Sequence, residues 1–366
     1  MNAWFLFKMS KSVALLYYAN IDHYSINTSM HNYLLHGGYL ELLSSAKVPI
    51  NVCFTGMTLE KLIEYDPMFI KKIQSLQNVK FFYTSYSHFL PSEFPKDIIS
   101  QSEFGEKIIK EVIPDSKLMN IISMPEYDCT ETVLNKIYTS NQFLISSSII
   151  NHGSLGSCKV CYKHLGTDKL LYCIHKDLMY RKRYHEYLRE ECKAKDVVSA
   201  IKSDLLQMKQ NKVLICAIDL ETPVINQVVF DNHKSSPPRL DLVKRLYDEY
   251  LKSKFRFVYL DEVSSLSERD LSIVDSLTNV DITVRKNPVY NNVLSRLKRI
   301  NTSKLNINLR HYLMCTSSDL YTYSHRRIKL PATYKAKKGL VIIYRSGLKK
   351  SILKHRLQKI GINILT

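Results

Sequence analysis

The sequence predicts an α/β protein built on parallel strands, with a basic, α-rich C-terminal segment. Three observations lead there. Apolar runs of strand length recur from Ser12 to Leu260, and stretches with apolar residues three and four apart alternate with them, as helices facing a sheet require. Two of the apolar runs end in acidic residues, Pro125-Glu126 and Asp219-Leu220-Glu221. The charge is divided unevenly along the chain: residues 281–366 hold 19 Lys and Arg against Asp281 and Asp319, a net of +17 out of +18 for all 366 residues. At 45% hydrophobic residues the chain can bury a large core, which excludes a disordered protein. There is no run of about 18 uncharged apolar residues, so no membrane span is expected. Met1–Ser10 lacks the basic flank and cleavage site of a secretory signal.

In chain order, Ser12–Asn20 reads as a strand and Ile26–Ala46 as helical spacing. Pro49–Phe54 is a second strand, Thr58–Leu76 a helix and Val79–Thr84 a third strand. Pro95 opens a helix to Val112, since proline is tolerated in a first turn. Leu118–Met124 is a buried strand that Pro125 ends, because proline cannot donate to a ladder. A helix over Thr130–Thr139 and a strand over Phe143–Ser148 follow, and such units imply right-handed crossovers between parallel strands. Residues 148–178 change pattern to short pieces, Cys158–Tyr162 and Lys169–Ile174, read as an inserted hairpin. Helices over Tyr180–Cys192 and Asp196–Lys209, a strand over Val213–Ile218, a helix from Pro238 to Lys252 and a strand over Phe257–Leu260 complete a first region of residues 12–280. In the basic region, residues 281–366, Val289–Ile300 and Leu348–Ile360 read as helices and Gly339–Tyr344 as a strand.

The eight cysteines show no disulfide framework, which predicts reduced thiols and a cytoplasmic protein. Cys158 and Cys161, with two residues between them, and Cys173 and His175 on the next strand could form a closed zinc site; reduced cysteines in a hairpin are the alternative. No other cofactor is expected.

Glu126 and Asp219 each follow an apolar strand, so a parallel topology projects them from the same face, where loops converge. Two carboxylates so placed suit glycoside hydrolysis, one attacking or stabilising the anomeric carbon and the other protonating the leaving oxygen. Two unrelated loop acids would read the same way. Several short segments in order resemble glycoside hydrolase family 57, the α-glucan enzymes: Thr55-Gly56, Asn78-Val79-Lys80, Tyr86-Ser87-His88, Pro91–Gln101, Pro125-Glu126 and Ile218–Glu221. The resemblance implies a distorted (β/α)7 barrel and a retaining hydrolase or transglycosylase acting on α-glycosidic bonds of an oligo- or polysaccharide. By it Glu126 is the nucleophile and Asp219 the acid/base. The same resemblance has Glu221 orient sugar hydroxyls or support Asp219 and puts His88 at a sugar subsite; Asp22, His23, Tyr86 and Tyr180 complete the expected substrate-binding set. Asp22, His23 and His88 could instead hold a divalent metal, as in a deacetylase-like barrel, or be simple hydrogen-bonding residues. The chain departs from the family pattern at Lys80, where an acid is usual, and has one histidine, His23, near the first strand in place of several. Lys80 is therefore expected to remove support from the site. Trp4, the single tryptophan, lies far from every motif, which leaves the 24 tyrosines to stack sugar rings.

A second class of function rests on the basic region. Lys349, Lys350, Lys354, Arg356 and Lys359 in one helix suit a polyanion such as nucleic acid or an anionic surface. On that reading the barrel is catalytically inactive and binds sugar or polyanion.

Overall fold

A computed structural model describes residues 11–20, 38–150, 160–175, 178–208, 213–220, 222–223, 240–263, 272–274, 276–277, 291–301, 309–317, 327–329, 341–343 and 346–361. Seven strands form a continuous parallel sheet. They are β1 (Ser12–Ala19), β2 (Ile50–Phe54), β3 (Val79–Tyr83), β4 (Leu118–Ser123), β5 (Gln142–Ser146), β7 (Leu170–Ile174) and β8 (Val213–Asp219), side by side as β8-β1-β2-β3-β4-β5-β7. The sheet curls until β7 meets β8, the distorted barrel expected of the fold class. Beyond β7 the edge is extended by β6 (Cys161–His164), which runs antiparallel to it, and by β10 (Ser272–Val274). The stretch read as an inserted hairpin is thus part of the sheet: β7 supplies its seventh parallel strand. The predicted strand Phe257–Leu260 reduces to β9 (Arg256–Phe257), paired with β1, before Leu260–Glu262 turns away.

Side-chain alternation sorts each strand between two cores. Ala14 and Leu16 of β1, Cys53, Phe82, Met119, Ile121, Leu144, Tyr172, Val213 and Ile215 fill the lumen. The intervening residues, among them Val13, Leu15, Val52, Phe81 and Ile122, face the helices. Those helices are α1 (Leu40–Ser45), α2 (Gly56–Tyr65), α3 (Pro67–Ser75), α4 (Ile98–Val112), α5 (Glu131–Lys136), α6 (Met179–Leu188), α7 (Ala194–Gln207) and α8 (Leu240–Lys252). The single helix predicted over Thr58–Leu76 is two. Asp66 leaves helical geometry at φ −156° and caps the Met68 amide at 2.9 Å, and Pro67 starts α3.

Among the described residues, the nine largest fully buried side chains are all tyrosines. Tyr17 and Tyr247 share a hydrogen bond of 3.1 Å on the helix side, and Tyr250 donates to Tyr180 at 3.3 Å. Burial pushes these phenols well above their ordinary range or, for Tyr17, up to about 12, so they are neutral core residues. Most of the tyrosines among the described residues are therefore core.

In the basic region, α9 (Asn291–Arg299), α10 (Leu309–Cys315) and α11 (Ser346–Lys359) are helical, and β11 (Arg327–Lys329) pairs antiparallel with β12 (Val341–Ile343). Leu353 and Leu357 of α11 are buried. Arg356 is buried with them and donates to the Met314 carbonyl at 3.0 Å, so it does not belong to a solvent-facing cationic stripe. Among the described residues no helix is long and apolar enough to cross a membrane.

Candidate active site

The site assembles at the carboxyl ends of β4 and β8. Met124 is buried in extended geometry, and Pro125 ends the ladder. Glu126 (φ 56°) and Tyr127 (φ 57°) then both take the left-handed conformation that ordinary side chains avoid. Two such residues in succession store strain of order 1–3 kcal/mol each, a feature that concentrates at functional sites. The strand end is tied down by Tyr127 N–H to Met124 O at 2.9 Å and by Asp128 N–H to Pro125 O at 3.1 Å. The side chain of Glu126 is 51% exposed, open to a ligand, and its Oε1 lies 3.9 Å from His88 Nε2.

Asp219 closes β8 at a position level with Tyr18 of β1. It alternates with Val213 and Ile215 of the lumen core and is itself exposed, so it stands at the lumen mouth. Tyr18, level with Asp219, and Tyr127, next to Glu126, belong to an aromatic group that the sequence did not single out. The ring of Tyr127 meets Tyr18 edge-on at 5.2 Å, Tyr18 meets Phe82 edge-on at 5.6 Å, and the Tyr18 hydroxyl is 2.9 Å from Ser123 Oγ. The Tyr127 phenol is pushed above its ordinary range, first by burial, then by the negative charge of Asp219 and, more weakly, of Glu126; a hydrogen bond with Tyr18 and the charge of Arg181 act the other way. It is therefore a neutral donor within the field of both carboxylates. Next to it, burial raises the Asp128 carboxyl although its Oδ2 accepts the Ser92 N–H at 2.8 Å. Tyr18 could have been found from alternation with Ala14 and Leu16. Nothing in the sequence announces the backbone of Tyr127.

The other expected residues are scattered. Tyr86 is fully buried on the helix side, donating to Glu60 Oε2 at 2.7 Å and accepting from Arg310 Nε at 2.9 Å. Tyr180 belongs to the helix-side tyrosine group. Neither is brought to Glu126. Asp22, His23, Glu221 and Cys158 lie outside the described residues. Cys161 pairs across the hairpin with Tyr172, so it faces the lumen while Cys173 faces the helices, and the two thiols cannot meet at one ion. Among the described residues no group of three or more His, Cys, Asp or Glu could hold a metal.

Lys80 is the second residue of β3, level with Asn51, at the opposite end of the lumen from Glu126. It is paired with Asp261 at 2.7 Å and sits 4.7 Å above the Tyr259 ring. The expectation that this lysine withdraws support from the site fails, because a strand of five residues separates the two ends.

Neither a protein-family model nor a curated protein matches the sequence. Solved structures do match the fold. A 4-α-glucanotransferase from Thermococcus litoralis superimposes with a TM-score of 0.67 at 12% identity, over 96% of this chain and 60% of that one. An exo-type maltose-forming amylase from Pyrococcus sp. ST04 superimposes with a TM-score of 0.53 at 13% identity, over 72% of this chain and 52% of that one. The fold is distantly that of these α-glucan enzymes. The chain spans between half and two thirds of their length.

Proposed function

We propose that the protein is a carbohydrate-active enzyme that cleaves or transfers α-glycosidic bonds with retention, Glu126 acting as nucleophile and Asp219 as acid/base. The observation that carries this reading is that two exposed carboxylates at the carboxyl ends of the non-adjacent strands β4 and β8 both bear on one half-buried phenol, Tyr127. In the first step the Glu126 carboxylate attacks the anomeric carbon while protonated Asp219 gives its proton to the departing glycosidic oxygen. The sugar is left as an ester of Glu126. In the second step Asp219 takes a proton from water or from an acceptor sugar hydroxyl, whose oxygen displaces Glu126 and restores both carboxyl groups. Retention asks for carboxyl groups roughly 5 to 5.5 Å apart. Tyr127, neutral at every working pH, can donate a hydrogen bond to a carboxylate but cannot act as base. The glucanotransferase and amylase folds support an α-glucan or related polysaccharide as substrate, in a cytoplasmic setting suited to the reduced cysteines.

The test is incubation of wild type and Glu126→Gln with maltooligosaccharides and a broad glycan panel, products read by mass spectrometry. New chain lengths from the wild type alone support the reading; equal inertness of both across the panel overturns it. A second reading, a polyanion-binding barrel, draws on the exposed cations Arg296 and Arg299 of α9 and Lys354 and Lys359 of α11. Its mark is nucleic-acid binding that weakens steeply with salt.

A further inference from the structure

The loop after β3 carries His88 to Glu126, and it is gripped from two sides. From one side α4 approaches so closely at Gly105 that a Cβ there would lie 2.5 Å from the Thr84 carbonyl oxygen. Four residues earlier on α4, the fully buried Gln101 accepts the Ser87 N–H on Oε1 at 3.0 Å. Its Nε2 reaches Ser87 Oγ at 2.9 Å, the Leu313 carbonyl at 3.0 Å and Thr316 Oγ1 at 2.8 Å. From the other side α10 and its following turn close over the loop. The Leu313 carbonyl also accepts the Ser87 hydroxyl at 2.8 Å, Phe89 forms an antiparallel bridge with Ser317, and Arg310 holds Glu60 at 2.8 Å.

Joining two segments by packing alone needs only apolar side chains. A buried set of hydrogen bonds adds little net stability but admits one register, because any slip leaves desolvated polar groups unpaired. Here that register ends on the residue preceding His88. We propose that α10, far along the basic region, is a wall of the candidate site. Gln101 is its positioning residue, transmitting the hold of Leu313 and Thr316 through Ser87 to His88 and so to the orientation of Glu126. This inference rests on the reading of Glu126 as the nucleophile. It makes the basic region part of the barrel's chemistry in addition to any surface it offers.

The experiment uses the full chain and two readouts. In the first, Gln101→Leu and Thr316→Val lower kcat roughly 10-fold or more with KM little changed and move the pH profile of kcat, whereas Thr316→Ser restores wild-type values. In a His88→Gln background the further loss from either substitution falls to about 1-fold, because the positioned group is gone. Losses that add in the double variants, or a lowered melting temperature with an unmoved pH profile, overturn the inference. The second readout needs no turnover. The His88 side-chain NMR signal, assigned by its disappearance in His88→Gln, shifts in both Glu126→Gln and Thr316→Val; a signal unmoved by Thr316→Val overturns the inference. A wild type inert on every glycan sinks the proposed activity, and the NMR comparison then decides the coupling alone.

Discussion

The two ends of the barrel lumen use polar residues in opposite ways. At the amino ends of the strands, Asn51 gives its amide to the Leu15 and Val258 carbonyls and accepts the Leu260 N–H at 2.8 Å, while Lys80 is paired with Asp261 and lies over the Tyr259 ring. Every one of those groups satisfies another and the backbone is relaxed. At the carboxyl ends, Glu126 and Asp219 are exposed, the backbone at Glu126 and Tyr127 is left-handed, and the Tyr127 phenol is held neutral by burial and by the charge of both acids. One end is closed for stability; the other keeps charge and strain available for a ligand. The same β/α frame does both because strand direction puts all amino ends on one side.

Substitutions at the two ends should therefore separate activity from stability. The largest expected effect is at the open end: Glu126→Gln lowers turnover at least about 10³-fold, with the melting temperature unchanged or raised as charge is removed from a strained turn. A comparable fall in both would break the contrast. Next comes Asn51→Leu at the closed end, which strands three buried backbone groups and costs about 2–4 kcal/mol in denaturant unfolding, with turnover per folded molecule retained. Tyr127→Phe should reduce kcat by about 10-fold, the worth of one hydrogen bond, with KM little changed. An unchanged kcat would remove the phenol from the site.

A smaller effect concerns pH and stability. Burial raises the carboxyls of Asp97, Asp128 and Asp204 above 3.8. Their folded forms hold protons more tightly than the unfolded chain, so this contribution to stability is full below about pH 3.8 and is lost as pH rises through the raised values. Asp128→Asn should flatten that part of the stability curve in denaturant titrations at successive pH values. The smallest effect is Lys80→Met. Both members of its ion pair are about one third exposed, so the change is within roughly 1 kcal/mol and turnover does not move. Loss of activity in Lys80→Met would erase the distinction between the ends.

The site was legible where chemistry and period coincide. An apolar run cut by Pro125 marks a strand end whatever surrounds it, and so does the run ending at Asp219. The reading of the sequence misjudged Lys80 by following the family pattern, although the strand read over Val79–Thr84 already places that residue at its amino end, away from Glu126. It overvalued Tyr86 and Tyr180 for a different reason. A tyrosine is equally suited to a sugar platform and to a core with one hydroxyl to satisfy, and only the packing of α2, α6 and α8 selects the core.

What the sequence determined by itself was the alternation of strands and helices, the parallel class that follows from it, and the two acids at strand ends. These depend on period and on residues that stop a ladder, both local properties. Only the tertiary structure decided that β7 completes the curled sheet, that Glu126 and Tyr127 share a left-handed turn, that Tyr18 lies level with Asp219 and against Tyr127, and that α10 clasps the loop of His88. The reason is separation along the chain. Gln101 and Thr316 stand 215 residues apart, and no local propensity encodes a contact over that distance.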